Sequence, residues 1–372
     1  MKTLKILHVV GTRSDLVKLA PLYKASRVRS GRMVQKIVHT GAHYTKKMFG
    51  MFLDEFEIEP PEFSLGINAH AYAAGISEMM RCLEVIFLKE KPQIILTVGD
   101  GLSSLAAVLC AAKTDMTLAH LEAGLRNHMP LDPREHRRRM IDSMARYLFV
   151  CSKRKARGLR KEGIRKERIF CVGNIFSDYA SLYKSTEATE KLHQYQLIKH
   201  NKIIPYMLVT FHHEDLISEK DSLTCVLEAL QELRKSFCVL ISLEAHTSIQ
   251  LKTLGLEGQL SKMKNVKLLP QMSHKDMVGL VKHSRFVLTD SLSLQDETGL
   301  MGVPCVVLRQ TTERDDRLTK NHQYVQCTKD KIVRACLIAN RLSFKEKKGD
   351  CVDKLCVADK ILDVLLAPMA NK

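Results

Sequence analysis

Two carboxylates and an arginine lie where a parallel sheet would deliver them to one edge. Thr117 to Leu121 reads as a short buried strand that runs straight into Glu122-Ala123-Gly124-Leu125-Arg126. Upstream, Ile94 to Val98 ends the same way, in Gly99-Asp100. Ligands of an open parallel sheet sit outside the carboxyl ends of its strands. Acids there can move protons and an arginine can hold an anion, which fits chemistry on a charged substrate. The plainer alternative is that Glu122 and Arg126 only pair with each other. Arg13 and Lys18 join this group: they open a helix after the strand Lys5 to Gly11, near a helix N-terminus that attracts anions. The second half offers His212, Ser291, Glu297 and Arg314, again at or just past strand ends. Each has a plain reading too. Arg13 can pair with Asp15, Ser291 can be an N-cap, and His212 can be structural.

The elements that must position these residues alternate along the chain. Strands are expected at Lys5 to Gly11, Gln35 to Thr40, Ile94 to Val98, Thr117 to Leu121, Tyr147 to Cys151 and Ile169 to Val172, with helices between them. His120 is expected to point into the fold, with Glu122 on the same side two residues on. Ser185 to Lys202 is polar and lysine-rich and reads as part of a link. Beyond it the pattern repeats, with strands at Tyr206 to Thr210, Phe237 to Ser242, Val266 to Leu269, Phe286 to Thr289 and Cys305 to Leu308. The fold class is α/β, two doubly wound Rossmann-like domains facing a cleft, over residues 1–180 and 203–353.

Composition narrows the function. The chain has 372 residues, 45% apolar and 27% charged, as in a soluble globular protein of two domains. No apolar run is long enough to span a membrane, and the first residues carry no signal-peptide cleavage pattern. Eleven cysteines are scattered without zinc spacing, which fits a reducing cytoplasm and argues against a metal site. The net charge of +17 admits nucleic acid. However, the basic stretches Arg134 to Arg139 and Lys153 to Arg168 carry no interleaved aromatics for stacking, so an anionic small substrate is preferred to nucleic acid as the partner.

These residues together resemble the non-hydrolysing UDP-N-acetylglucosamine 2-epimerases, nearly from end to end. Gly11 to Lys18 resembles the family's GTRPExxK, Thr40 to Tyr44 its TGQHY, and Gly99-Asp100 with Ser103 to Ala106 its GDTxSxLA. His120 to Arg126 matches HVEAGLR almost letter for letter. Leu208 to His212 resembles LxTxHR, Leu288 to Glu297 resembles LTDSGGxQEE, and Thr311 to Arg314 matches TTER. The resemblance implies a GT-B-like fold whose last helix, 354–370, crosses back to the first domain. It implies a homodimer that inverts C2 of UDP-N-acetylglucosamine with no cofactor, by eliminating and re-adding UDP, and so feeds polysaccharide synthesis. By that likeness Arg13, Lys18 and Arg138 would hold the diphosphate. Asp100 and Glu122 would move protons, assisted by His212. Ser291 with Ser293 would bind the diphosphate, Glu297 the ribose, and Arg314 and Glu135 would also line the substrate.

The chain departs from the family pattern at ligand-lining positions. Pro133 to Arg138 reads PREHRR against the family's PEExNR, so Arg134 stands where the family has a catalytic acid. Glu135, one residue on, points about 100° away on a helix. Leu292-Ser293 replaces a double glycine, Glu244-Ala245-His246 replaces HPR, His213 follows His212 in place of arginine, and Ala42 replaces glutamine. These differences admit a hydrolysing epimerase, a glycosyltransferase, a different UDP-sugar or a non-catalytic binding protein on the same fold.

Overall fold

The computed structural model describes residues 3–29, 31–41, 46–67, 72–112, 114–127, 129, 131–179, 182, 188–211, 214–270, 272–309, 321–342 and 356–367. The chain forms two compact units, Met1–Tyr179 with Cys351–Lys372, and Ala180–Asp350. Both are doubly wound.

In the first unit β1 (Leu4–Val10), β2 (Met33–Gly41), β3 (Phe63–Ile67), β4 (Ile94–Val98), β5 (Thr117–Leu121), β6 (Tyr147–Val150) and β7 (Ile169–Cys171) form one parallel sheet in the order 3-2-1-4-5-6-7. Central strands such as IILTV are buried along their whole length, because helices cover both faces. The strand order reverses between β1 and β4, so the turns after those two strands, which carry Arg13 and Asp100, open at the switch point where ligands bind.

The helix Arg13–Arg27 follows β1. Thr12 and Asp15 close a capping box at its start. Pro21 lies inside this helix and has no N–H to donate to the carbonyl of Val17. The Tyr179 hydroxyl donates to that carbonyl instead, at 2.5 Å. The last helix, Val357–Leu366, packs on Arg13–Arg27: Arg29 bridges Asp359 at 3.0 Å and Asp363 at 2.9 Å. Asp178 accepts the first two N–H groups of that helix, from Val357 and Ala358, both at 2.8 Å.

The second unit opens with a small hairpin, β8 (Ile198–Lys199) and β9 (Lys202–Ile203). Its parallel sheet comprises β10 (Tyr206–Thr210), β11 (Cys238–Ser242), β12 (Val266–Leu269), β13 (Phe286–Thr289), β14 (Cys305–Val307) and β15 (His322–Tyr324), in the order 12-11-10-13-14-15. Alternate side chains fill two cores. Met207, Val209, Val239, Ile241, Phe286 and Leu288 pack in one, and Tyr206, Leu208, Leu240, Val287 and Val307 in the other. The stretch read as a link corrects that expectation: Ala188, Leu192, Tyr195 and Leu197 are buried in the second of these cores. Ala188, Leu192 and Tyr195 keep helical spacing, and the surrounding lysines and glutamines hid it. β3 and β15, both short, were not expected.

Candidate active site

The two acids lie side by side at the carboxyl edge of the first sheet. β4 runs into Gly99, whose φ of +65° turns the chain sharply and presents Asp100. β5 ends at Leu121, and Glu122 takes a φ of +70°. A non-glycine residue there is strained, and such strain clusters at functional sites. The same turn breaks the strand alternation that would have put Glu122 on the side of His120.

Glu122 does not pair with Arg126. Its Oε2 meets Lys18 Nζ at 2.5 Å, with side chains 9% and 8% exposed. Lys18 reaches it from the second turn of Arg13–Arg27, so the helix after β1 supplies the cation and the turn after β5 the acid. A methyl group placed on Gly99 would touch both partners, 3.7 Å from Glu122 Oε2 and 3.9 Å from Lys18 Nζ. Asp100 therefore neighbours the pair.

Asp100 Oδ2 meets Arg138 Nε at 2.7 Å, and the Asp100 carbonyl accepts from Arg137 Nε at 2.8 Å. Burial raises the pKa of the Asp100 carboxyl. Arg138, Arg137, Lys18 and Arg134 outweigh it, and the net value lies below the ordinary carboxylate range. All three arginines come from one helix, Pro133–Met144, which Asp132 caps and Pro133 begins.

That helix sorts the remaining candidates. Glu135 was expected to line the substrate. It is 2% exposed and held by the Asn127 N–H at 3.1 Å, Arg139 Nη2 at 3.1 Å and Arg126 Nε at 3.8 Å. It ties the turn after β5 to the helix. Arg134, at the position of the family's acid, lies on Asp132, with Nη2 3.3 Å from Oδ2. Arg126 is also structural, buried against Asp142 at 2.8 Å and clasped by both oxygens of Glu162 at 2.9 and 2.8 Å.

Arg13 lies over the Phe52 ring, 4.5 Å from its centre. The Asp15 carboxylate accepts the N–H groups of Gly11 and Thr12 at 3.1 and 2.9 Å.

In the second unit, Thr210 and Thr289 join the ends of β10 and β13 by a 2.7 Å hydroxyl bond, and Thr289 Oγ1 accepts the Ser291 N–H at 3.0 Å. Ser291 caps the helix Leu292–Met301 through the Leu294 N–H. Ser293 lies half-buried in its first turn. Glu297 is buried, and its Oε1 meets His274 Nε2 at 3.1 Å. His212 and Arg314 lie outside the described residues. Among the described residues, no group of three His, Cys, Asp or Glu side chains could hold a metal ion, and no helix is long and apolar enough to cross a membrane.

Sequence reasoning missed Asp142, His274 and Phe52. Asp142 had a signal: Glu135, Arg138 and Asp142 recur at helical spacing and form a charged inner face where an apolar one is usual.

A family model described as UDP-N-acetylglucosamine 2-epimerase matches residues 27–353. The chain is 28% identical over 337 residues to the UDP-N-acetylglucosamine 2-epimerase of Methanocaldococcus jannaschii, covering 89% of this chain and 91% of that one. It is 30% identical over 313 residues to the UDP-2,3-diacetamido-2,3-dideoxy-D-glucuronate 2-epimerase of Pseudomonas aeruginosa, covering 83% and 84%. The crystal structure of the Methanocaldococcus jannaschii enzyme in complex with UDP-GlcNAc and UDP superposes with a TM-score of 0.88, at 26% identity over 97% of this chain and 99% of that one. Seven and six parallel strands in two doubly wound units agree with that likeness, and the chain belongs to the UDP-N-acetylglucosamine 2-epimerase family.

Proposed function

We propose that this chain interconverts UDP-N-acetylglucosamine and UDP-N-acetylmannosamine. The observation that carries this reading is the adjacent pair of carboxylates, Glu122 on Lys18 and Asp100 on Arg138, at the switch point of a sheet in a family of this activity. One carboxylate removes the proton from C2 of the sugar while the C1–O bond breaks and UDP leaves with its electron pair. UDP then re-adds to the unsaturated sugar, and the second carboxylate returns a proton to C2 on the opposite face. Lys18, Arg13 and Arg138 neutralise the departing diphosphate, which develops its charge as the bond breaks. Asp100 is held ionised and suits the base. Ser291 and Ser293 open a helix that receives the diphosphate, and Glu297 takes the ribose hydroxyls. His212 and Arg314 keep the roles that the resemblance gives them. The reading extends to a cytoplasmic homodimer that supplies cell-surface polysaccharide synthesis.

The test is proton NMR of UDP-N-acetylglucosamine with the pure protein in D2O. Loss of the C2 proton signal with a manno-configured product is expected. UDP binding without exchange would sink the reading and favour a non-catalytic relative. Free UDP formed without an acceptor would favour hydrolysis, and dependence on an acceptor would favour transfer.

A second reading keeps inversion at C2 and changes the sugar. Arg134 and Arg137 add cations beside Asp100 where the family pattern has an acid and an asparagine. A sugar bearing a carboxylate, such as the uronate named for the Pseudomonas relative, suits that excess. Faster C2 exchange with a UDP-2-acetamido-uronate than with UDP-N-acetylglucosamine would favour it.

A further inference from the structure

One buried carboxylate that the chemistry does not use holds both of the turns that carry it. Asp142 lies on the inner face of Pro133–Met144 and is 1% exposed. Its Oδ1 meets His120 Nδ1 at 2.7 Å, and its Oδ2 accepts the Gly124 N–H at 3.0 Å and Arg126 Nη1 at 2.8 Å. The other ring nitrogen, His120 Nε2, meets the Gly99 carbonyl at 3.0 Å. A carbonyl only accepts, so Nε2 is the donor to Gly99, while Nδ1 lies on the Asp142 carboxylate. His120 is thus a bridge from Asp142 to the residue before Asp100. Through Gly124 and Arg126 the same carboxylate grips the turn that carries Glu122. Gly99 at +65° and Gly124 at +76° take left-handed φ without strain, but Glu122 at +70° does not, so the Glu122 turn needs holding from outside.

We infer that Asp142 and His120 are positioning residues that hold the Asp100 and Glu122 turns in register with each other. Neither touches the substrate. The role rests on the proposed epimerase reading for its catalytic consequence, but the holding of the two turns can be measured without it. In both ions and hydrogen bonds the cluster is closed: Asp142 and Glu162 face His120 and Arg126, so each donor ends on a carboxylate or a carbonyl. Burial raises the Asp142 carboxyl, and His120 and Arg126 outweigh it, so it stays ionised at neutral pH.

The experiment compares Asp142→Ala, Asp142→Asn and His120→Gln with the wild-type chain. An asparagine amide oxygen can still accept from Gly124 and Arg126, while its NH2 faces His120 Nδ1, so the bridge keeps its shape. For Asp142→Ala, kcat for C2 inversion is expected to fall about 100-fold, as for a misplacement of about 1 Å, with UDP affinity unchanged. Asp142→Asn should recover at least tenfold of that loss. Should Asp142→Ala fail to fold, His120→Gln carries the test, with kcat reduced at unchanged UDP affinity. Amide hydrogen exchange reads the turns directly: the Gly124 and Gly99–Asp100 amides should exchange faster in the variant while β4 and β5 stay protected. Wild-type kcat together with wild-type exchange in these variants would overturn the inference, and so would an Asn variant no better than Ala. A wild-type protein that inverts nothing would remove the epimerase reading alone, because the exchange result still decides whether the turns are held.

Discussion

The Tyr179 hydroxyl replaces the N–H that Pro21 cannot offer to the Val17 carbonyl, at 2.5 Å in the interior of the first unit. A proline inside a helix leaves the carbonyl four residues earlier without its donor, and a buried unpaired carbonyl is costly. Tyr179 comes from the last described stretch before the second unit, so this bond joins the end of the first unit to the helix that carries Lys18. Tyr179→Phe is expected to lower stability by about 1–3 kcal/mol, the cost of an orphaned buried acceptor. Adding Pro21→Ala restores an N–H at the right place and should return part of that loss. Urea unfolding of the two single variants and the double variant measures the coupling, and simple additivity would show that the hydroxyl is not serving the proline's gap.

Asp100 should set an acid limit on activity. Burial raises its pKa, but Arg138, Arg137, Lys18 and Arg134 lower it by more. A carboxylate depressed in the folded state contributes stability that is full above its unfolded pKa of about 3.9 and fades as pH falls through the folded value. The base form therefore persists at moderately acid pH. Arg137→Asn removes the second of those cations and the 2.8 Å bond to the Asp100 carbonyl. The acid limb of the kcat/KM profile should move to higher pH in this variant, with the plateau less affected than the limb. An unmoved limb would mean that another group sets it.

Most of the fold could be read from the sequence because parallel strands buried on both faces are near-continuous apolar runs. KILHVV, IILTV and FVLT announce themselves, and so do the acids and turn residues that follow them. The stretch 188–203 was illegible because its few apolar residues sit among charges, and because its helix, Thr189–Gln194, is too short for a periodicity to stand out. Residue type and position at strand ends singled out Lys18, Asp100 and Glu122 as candidates. They could not tell which acid pairs with which base. That depends on φ at Glu122 and on the reach of Lys18 from another element, and a local pattern contains neither. For the same reason the sequence did not show that the helix turns Glu135 inward onto Asn127, Arg126 and Arg139.

The Lys18–Glu122 pair is nearly out of solvent, so its two halves depend on each other. Removing one member of a buried pair strands the other charge, at about 3–5 kcal/mol. Lys18→Met should therefore destabilise the protein by that order. Combining it with Glu122→Gln, which removes the stranded charge and keeps the shape, should recover most of the loss. Glu122→Gln alone is expected to abolish C2 exchange while UDP still binds. Thermal unfolding checks the first claim, and calorimetry with UDP alongside NMR exchange checks the second. Loss of UDP binding in the glutamine variant would make Glu122 a structural residue.

The last prediction separates two neighbouring positions on one helix. Glu135 is enclosed by Asn127, Arg126 and Arg139, whereas Arg134 is half-buried, rests on Asp132 and contributes to the field at Asp100. Glu135 cannot stand in for the acid of the family pattern without breaking those contacts. Glu135→Gln should thus act on stability, by about 1–3 kcal/mol for the weakened buried contacts since Arg126 keeps Asp142 and Glu162, with kcat reduced only as folding is reduced. Arg134→Glu returns an acid to the face that points toward Asp100. It replaces an attraction to Asp132 with a repulsion and removes one cation from Asp100, so the Asp100 carboxyl rises toward its ordinary range. A third carboxylate within reach of the sugar should raise the rate of C2 exchange on UDP-N-acetylglucosamine. A rate that stays level or falls would show that Asp100 and Glu122 suffice and that the arginine belongs to this chain's own substrate.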